Sequence, residues 1–169
     1  MLQVYTGDGK GKTTAALGIA FRAAGYQLST IMLSFLKDDP GYGEARAAAL
    51  LPGFTLLQIG RDAFVNFKNP AQEDLKLCRS GWKQAKEIIE NKQADIIILD
   101  ELNIVLAANM LPVDEVAAFL QQHKHEIEII LTGRYAPAEI IKIADLVTEM
   151  QEVKHYFHKG IASRNGIDH

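Results

Sequence analysis

The sequence predicts a three-layer α/β fold with a mostly parallel sheet of about six strands. Short apolar runs alternate with helical patterns throughout the 169 residues, as they do when helices connect parallel strands. The first apolar run is followed by a glycine-rich loop that contains Gly-Lys-Thr. A later apolar run, "IIIL", ends directly in Asp100 and Glu101. A chain of this length favours one domain, residues 1–169.

The first half of the chain supplies three predicted strands and two helices. "LQVYT" is the first strand, and "TTAALGIAFRAAG" is a helix that ends at Gly25, a residue type common at helix C-termini. "LSTIMLSF" is the second strand, and the short helix "EARAAALL" stops before Pro52 and Gly53. "FTLLQIG" is the third strand. Residues 61–69 show no periodicity and are expected to be irregular.

The second half supplies three more strands. A long helix presents one apolar face at spacings of three and four residues, formed by Leu75, Cys78, Trp82, Ala85 and Ile89. "ADIIILDE" is the fourth strand, apolar on both faces as a central parallel strand is. The helix "VDEVAAFLQQH", the strand "EIEIILTG", the short helix "APAEIIKIA" and the strand "DLVTEM" follow. Residues 160–169 are expected to form a tail.

Composition excludes several classes of protein. The net charge of -3 does not favour nucleic acid or membrane surfaces. Cys78 is the only cysteine, so the chain has no intrachain disulfide and no cysteine-rich metal site. No apolar run reaches the roughly 18 residues of a membrane span, and no signal peptide is recognisable before the glycine-rich loop. We expect a cytoplasmic protein that binds neither nucleic acid nor membrane.

The glycine-rich loop, "TGDGKGKTT", predicts a phosphate-binding site. The usual form is G-x-x-x-x-G-K-[ST], but here Thr6 stands where the first glycine belongs and Gly7 follows it. Glycines permit positive φ and close backbone approach, so that successive N–H groups and the next helix N-terminus can face an anion. The predicted phosphate-binding residues are Gly7, Asp8, Gly9, Lys10, Gly11, Lys12, Thr13 and Thr14.

Two kinds of chemistry follow from the loop and from the fourth strand. Lys12 supplies a positive charge to phosphates, and the Thr13 hydroxyl suits a Mg²⁺ bound to the same phosphates; these two residues are the predicted catalytic pair. Asp100 and Glu101 fall at the ligand-binding edge of the sheet. The predicted metal site is therefore Thr13, Asp100 and Glu101 in a P-loop, RecA-like fold. Glu101 could instead orient water or act as a structural acceptor.

The chain resembles the ATP:corrinoid adenosyltransferases of the P-loop type, which act on cob(I)alamin and cob(I)yrinic acid a,c-diamide. The resemblance covers essentially the whole chain, and the family carries the same loop that is shorter by one residue. It rests on "TGDGKGKTTAALG", "FRAAG", "ILDELN", "LTGRYAP", "ADLVTEM", "VKHYFHKGI" and "NGID".

The resemblance implies a reaction. ATP lies reversed relative to other P-loop enzymes, Co(I) of the corrinoid attacks C5′ of the ribose, and triphosphate leaves. The cobalt nucleophile carries no proton, so no general base is needed. The tasks left to the protein are alignment of the reactants and exclusion of water. ATP, Mg²⁺ and a corrinoid co-substrate are thus expected.

The resemblance also implies further site residues. Arg22 and Arg134 match arginines expected near the nucleotide, although a solvated helix face and a loop salt bridge are the alternatives. Lys37 and Glu44 follow the second strand at the ligand edge. Asn103 is expected either to contact a ligand or to cap the next segment.

An aromatic pair in the irregular segment is expected to cover the lower face of the corrin. Phe64 matches one member of the family's Phe-x-Trp pair, but Asn66 stands at the tryptophan position and Phe67 could replace it. The alternative is that both phenylalanines belong to the core. Trp82 and Cys78, by contrast, lie on the apolar stripe of the long helix and are predicted core residues.

The family implies a homodimer and a flavoprotein or flavodoxin-type reductant for Co(II). An N-terminal arm that caps the partner's site in several members has no counterpart here, so the tail, residues 160–169, is a possible cap. Two rival functions remain: a P-loop kinase or NTPase acting on another substrate, and a non-catalytic ATP-binding regulatory protein. For His123, His125, His155 and His158 we expect solvated positions and not a metal site.

Overall fold

Six strands form one parallel sheet in a computed structural model, which describes residues 1–61 and 63–168. The strands are β1 (Leu2–Thr6), β2 (Thr30–Phe35), β3 (Phe54–Ile59), β4 (Ile96–Asp100), β5 (Glu128–Thr132) and β6 (Leu146–Glu149). Their order is β3-β2-β4-β5-β1-β6, and every neighbouring pair is parallel. Strand β5 therefore lies between the strand that precedes the glycine-rich loop and the strand that ends in Asp100. The predicted sheet is confirmed.

The predicted helices are present, together with one helix that the sequence did not reveal. The α-helices are α1 (Lys12–Ala24), α2 (Gly43–Ala48), α3 (Gln72–Glu90), α4 (Leu102–Ala107), α5 (Val113–His123) and α6 (Ala138–Ile143), and a 3₁₀ helix covers Tyr156–Lys159. Helix α4 was missed because it begins at Leu102, two residues after β4 ends at Asp100, with no turn residue to separate the two elements. Gly25 ends α1 with φ of -63°, and the left-handed residue in this turn is Gln27.

Both faces of the sheet are covered, as the three-layer prediction requires. In β4, Ile96 and Ile98 pack toward α1, whereas Ile97 and Leu99 pack into the larger core with α3, α4 and α5. A strand that is buried on both faces has no polar side to present, which explains the continuous run of apolar residues. The strand ends in Asp100 at the edge where the connecting loops gather.

The apolar stripe of α3 packs as predicted. Cys78, Trp82, Ala85 and Ile89 are buried, while Leu75 is only partly buried. The Trp82 ring meets Phe119 of α5 edge to face, with ring centroids 5.4 Å apart. Burial raises the pKa of the Cys78 thiol to about 12, so this cysteine is protonated and inert at neutral pH.

Gly81 of α3 packs tightly against the sheet, and we expect Gly81→Ala to destabilise the protein. A Cβ at this position would lie 2.5 Å from Ile59 Cγ2 and 3.0 Å from Phe35 Cε1. Overpacking of this kind costs about 1–3 kcal/mol, which outweighs the helix-propensity gain of about 1 kcal/mol. A net loss of about 1 kcal/mol lowers Tm by roughly 2–4 °C in a protein of this size.

Thermal unfolding followed by circular dichroism checks this expectation. The neighbouring Ser80→Ala is the matched control, because Ser80 is exposed on the same helix and gains propensity without a clash. A Gly81→Ala protein as stable as the Ser80→Ala protein would show that α3 can move away from the sheet without loss.

Two positions of interest lie outside the described residues. They are Asp62, in the segment predicted to be irregular, and His169, at the end of the predicted tail. Among the residues that are described, no helix combines the length and hydropathy that crossing a membrane requires.

Candidate active site

The glycine-rich loop is shaped by its contact with the end of β6. Gly7 and Gly11 adopt φ of 95° and 117°, whereas Gly9 does not have positive φ and is needed for another reason. A Cβ on Gly7 would lie 2.4 Å from the carbonyl oxygen of Met150, and one on Gly9 would lie 2.8 Å from the backbone of Gln151. The N–H of Gly9 donates to Met150 O at 2.7 Å. Tight packing on the strand beside it thus accounts for these two glycines.

Lys12 spans the loop that it follows. Its Nζ donates to the carbonyl oxygens of Gly7 at 2.8 Å and Gly9 at 2.7 Å. Burial, together with the nearby Arg134 charge, lowers the pKa of Lys12. The ammonium uses two of its three donors on the loop and stands at the N-terminus of α1, where an anion is favoured.

Asp100 is fully buried and is the centre of a hydrogen-bond network. Its Oδ1 accepts from Thr13 Oγ1 at 2.8 Å and from Thr132 Oγ1 at 2.6 Å. Its Oδ2 accepts from Ser34 Oγ and Lys37 Nζ, each at 2.8 Å. Burial alone would raise the pKa of Asp100. The charge of Lys37 and the hydrogen bonds from Lys37, Thr132 and Thr13 lower the pKa of Asp100 below its ordinary value. The carboxylate is therefore ionised and fully satisfied.

The sequence prediction missed Ser34 and Thr132 as members of this network. Both are polar residues at or near the carboxyl ends of otherwise apolar strands, β2 and β5, and those strands flank β4. Because parallel strands end at one edge, polar residues at their ends gather around the Asp100 carboxylate. That pattern was visible in "TIMLSF" and "EIILT" and points to these two residues.

Glu101 differs from Asp100 in its environment. It adopts φ of 60° at the start of α4, and its N–H donates to Thr132 Oγ1 at 3.1 Å. Burial and the neighbouring Asp100 charge raise the pKa of Glu101. Since Glu101 lines the cavity described next, its carboxyl group is available there.

The donor set fits Mg²⁺ better than a transition metal. Thr13 and Asp100 present adjacent oxygen atoms at 2.8 Å, and Glu101 adds a second carboxylate. Mg²⁺ takes one or two carboxylates and completes its shell with phosphates and water. The described residues contain no group of three or more His, Cys, Asp or Glu side chains placed to hold a metal.

A cavity of about 600 Å³ opens above this network. It brings together most of the predicted site residues with others that were not predicted. Arg134 donates from Nη2 to the carbonyl oxygen of Asp8 at 3.0 Å, so it contacts the glycine-rich loop, and it forms no salt bridge with any acidic residue in the part of the chain that the structure describes. The cavity is lined by Asp8, Gly9, Lys10, Gly11, Lys12, Thr13, Thr14, Leu36, Lys37, Phe67, Glu101, Ile104, Arg134, His155, Tyr156, Phe157, Ile161, Ser163 and Asp168.

A second cavity of about 350 Å³ shares residues with the first. Leu36, Lys37 and Phe67 line both cavities, and Phe64 lines only the second. Phe64 is 95% exposed and Phe67 is 37% exposed. The alternative that these rings belong to the core is therefore wrong; only Val65, between them, is buried.

Three predicted residues lie elsewhere than expected. Gly7 does not line the cavity, because it packs against Met150. Arg22 is exposed in the last turn of α1, ten residues and therefore about 15 Å along the helix from Lys12. Asn103 is fully buried and donates from Nδ2 to the carbonyl oxygens of Tyr5 and Gly133, both at 3.2 Å. It joins backbone segments behind the site and neither caps a helix nor faces the cavity.

The histidines divide into two groups. His125 and His158 are exposed as predicted, and His158 pairs with Glu152 at 2.6 Å. The solvated prediction is wrong for His123, whose side chain is 13% exposed and stacks on Phe119 with ring centroids 4.4 Å apart. His155 is half-buried and lines the main cavity.

Comparison with known proteins agrees with this geometry. Residues 1–169 match the family model described as ATP:corrinoid adenosyltransferase BtuR/CobO/CobP. A corrinoid adenosyltransferase of Escherichia coli K12 is 36% identical over 166 residues, which are 98% of this chain and 84% of that protein. The corrinoid adenosyltransferase CobA of Salmonella typhimurium is 34% identical over 166 residues, with the same coverage.

A solved structure supports the fold alone. A KaiC-like protein from Pyrococcus horikoshii has a TM-score of 0.59 and 14% identity, over 90% of this chain and 72% of that one. This likeness places the sheet among P-loop folds, and the family match extends over every element that surrounds the cavity. The chain belongs to the ATP:corrinoid adenosyltransferase family and is an enzyme of the alkyl-transferring kind.

Proposed function

We propose that this protein transfers the 5′-deoxyadenosyl group of ATP to Co(I) of a corrinoid and releases triphosphate, in a Mg²⁺-dependent reaction. The observation that carries the proposal is the meeting of two unlike cavities at Lys37 and Phe67. One is bordered by the phosphate loop, and the other by exposed aromatic rings. A polyanionic co-substrate suits the cations of the first, and the exposed rings beside the second offer an apolar surface to a large flat co-substrate.

The reaction balances without a proton transfer to the protein. The electron pair of Co(I) forms the bond to C5′, the C5′–O bond breaks, and its electron pair leaves on the triphosphate. Charge therefore develops on the leaving oxygen, and groups that bind triphosphate stabilise the transition state. Lys12, Arg134 and the N-terminus of α1 would take this role.

Thr13 and Asp100 would hold Mg²⁺ at the phosphates, with Glu101 beside them. When bound, this ion neutralises charge on the leaving triphosphate. Lys37 contributes a second cation at the same carboxylate, 2.8 Å from Asp100 and 3.9 Å from Glu44. Because Lys37 also lines both cavities, we place it at the junction of the two co-substrates.

On the corrinoid side, Phe64 and Phe67 would pack against the lower face of the ring. An apolar cover disfavours a polar axial ligand, since an unpaired nitrogen is desolvated at a cost of roughly 1–3 kcal/mol. Loss of the axial ligand makes Co(II) easier to reduce. A flavoprotein or flavodoxin-type reductant and a homodimeric enzyme complete the proposal.

We expect Phe64→Ala and Phe67→Ala to impair the reaction from Co(II) more than the reaction from Co(I). Reduction of Co(II) by a weak reductant needs the lower-face cover, whereas attack by ready-made Co(I) needs only alignment. Parallel assays with the two cobalt states measure this difference. Because both rings are exposed, unfolding transitions should stay near the parent's, and equal losses in the two assays would contradict a lower-face role.

One experiment tests the function itself. Purified protein is incubated with ATP, Mg²⁺ and chemically reduced cobalamin, and the light-sensitive Co–C product is followed together with triphosphate. Release of phosphate or ADP would favour the kinase or NTPase alternative. Binding of ATP without turnover would favour the regulatory alternative.

A further inference from the structure

The C-terminal segment, residues 156–168, folds back onto the glycine-rich loop. Lys10 Nζ lies 2.9 Å from the Asp168 carboxylate and donates to the carbonyl oxygen of Ile167 at 3.2 Å. Lys10 therefore commits two of its three donors to the end of the chain. Our sequence interpretation placed Lys10 among the phosphate ligands, but its contacts here are to the C-terminal segment.

Asp168 is bound from several directions. Besides Lys10, it accepts hydrogen bonds from the Tyr156 hydroxyl and from the backbone N–H and Nε of Arg164, the last two at 3.0 and 3.2 Å. The Arg164 guanidinium also lies over the Tyr156 ring, 4.7 Å from its centroid. The Asp168 side chain is only 9% exposed. A carboxylate with this many donors fixes the segment that carries it.

The segment held in this way forms part of the main cavity. Tyr156, Phe157 and Ile161 line it and make this part of the cavity less polar than the glycine-rich loop, while Asp168 lines it beside Lys10. Apolar and aromatic side chains suit a nucleoside and not a phosphate chain. The division of the cavity into a polar side and an apolar side matches the two ends of a nucleotide.

We infer that Asp168 is a positioning residue, which through Lys10, Tyr156 and Arg164 holds the C-terminal segment as the wall that receives the nucleoside end of ATP. The inference rests on the proposed nucleotide site. Lys10 is then an anchor for this wall, and Lys12 and Arg134 are the cations that meet the phosphates. Because the C-terminal segment is already held in place before ATP binds, less conformational entropy is lost when the nucleotide binds.

The test compares Asp168→Asn, Lys10→Gln and the double variant. We expect each single variant to weaken ATP binding by about 5- to 10-fold in calorimetry with Mg²⁺ and no corrinoid. The double variant should bind ATP as tightly as the single variants do, because each single substitution already removes the contact between Lys10 and Asp168. Tripolyphosphate, which has no nucleoside, should bind all variants within about twofold of the parent.

Two further measurements separate positioning from general stability. Trypsin should cut after Lys159 and Arg164 faster in the variants, and ATP should protect the parent more than it protects them. The KM for ATP should rise more than kcat falls, as expected for a loss of uniform binding. Asp168→Glu keeps the carboxylate and should recover part of the affinity.

The Lys92–Glu126 pair, at 3.3 Å on the surface, is the matched control. Lys92→Gln and Glu126→Gln should leave ATP binding and cleavage at the C-terminal segment unchanged. Unchanged or tighter ATP binding by Asp168→Asn would overturn the inference, as would loss of tripolyphosphate binding in Lys10→Gln, which would make Lys10 a phosphate ligand. A parent protein that binds no ATP would instead overturn the proposed function.

Discussion

Lys12→Ala is expected to lower kcat/KM for adenosylation by about 100- to 1000-fold, the usual effect of removing one charge contact to a transition state. The Lys12 ammonium stands at the N-terminus of α1, and among the described residues its hydrogen bonds go only to the carbonyl oxygens of Gly7 and Gly9. Without this ammonium, the negative charge that develops on the leaving triphosphate would lose a positive charge that stabilises it. The rate of formation of the light-sensitive Co–C product measures the effect.

The fold of the Lys12→Ala protein should remain intact. Lys12 is only half-buried, and the two hydrogen bonds that it loses contribute about 1 kcal/mol each. Lys12→Arg should also be a poor enzyme, because the guanidinium is longer and wider than an ammonium. Lys92→Ala, a surface lysine remote from the loop, serves as the control. A Lys12→Ala activity within about threefold of the parent's would contradict the assignment.

The fold was predictable because its main determinants are local or periodic. The alternation of apolar runs and helical stripes located every strand within about two residues, a usual boundary error. Strand β4 was recognisable because burial on both faces leaves it continuously apolar. Helix α4 was not, since it follows the strand directly and no turn residue marks its start.

The site was predictable only in part. Lys12 and Thr13 follow from a motif contained in one loop, and Asp100 follows from its place at the end of a buried strand. The polar residues Ser34 and Thr132 are visible at the ends of apolar strands, but their contacts with Asp100 depend on the order of the strands in the sheet. The pairing of Lys10 with Asp168 joins opposite ends of the chain, and hydrogen bonds of this kind leave no periodic trace in the sequence.

Arg22 is a residue that was predicted to lie at the site but does not. A match to a family arginine placed it near the nucleotide, but the helix carries it about 15 Å from Lys12, on the exposed side. Arg22 therefore does not line the main cavity of its own chain. A match to a family motif identifies a residue type but does not show where the side chain lies in the fold. For Arg134 the contact with Asp8 shows that it lies at the glycine-rich loop.

Asp100→Asn is expected to have the second large effect, on Mg²⁺ dependence. A carboxamide keeps the shape of the side chain and removes the charge that a hard cation prefers. We expect the Mg²⁺ concentration for half-maximal activity to rise about 10-fold or more, equivalent to about 1.4 kcal/mol. ATP binding in the presence of a chelator should change much less. Coincident Mg²⁺ titrations of variant and parent would exclude Asp100 from the metal site.

The difficulty with this variant is that Asp100 is also structural, and Lys37 provides the means to separate the two roles. Asp100→Asn leaves the Lys37 ammonium facing a neutral amide, and unpairing a largely buried charge lowers the free energy of unfolding by about 1–3 kcal/mol. Lys37→Met combined with Asp100→Asn removes both charges and should recover most of that stability. The metal requirement of the double variant should stay high, because methionine supplies no ligand for Mg²⁺. Recovery of both stability and Mg²⁺ dependence would mean that Asp100 acts only by pairing with Lys37, and that Glu101 and Thr13 hold the ion.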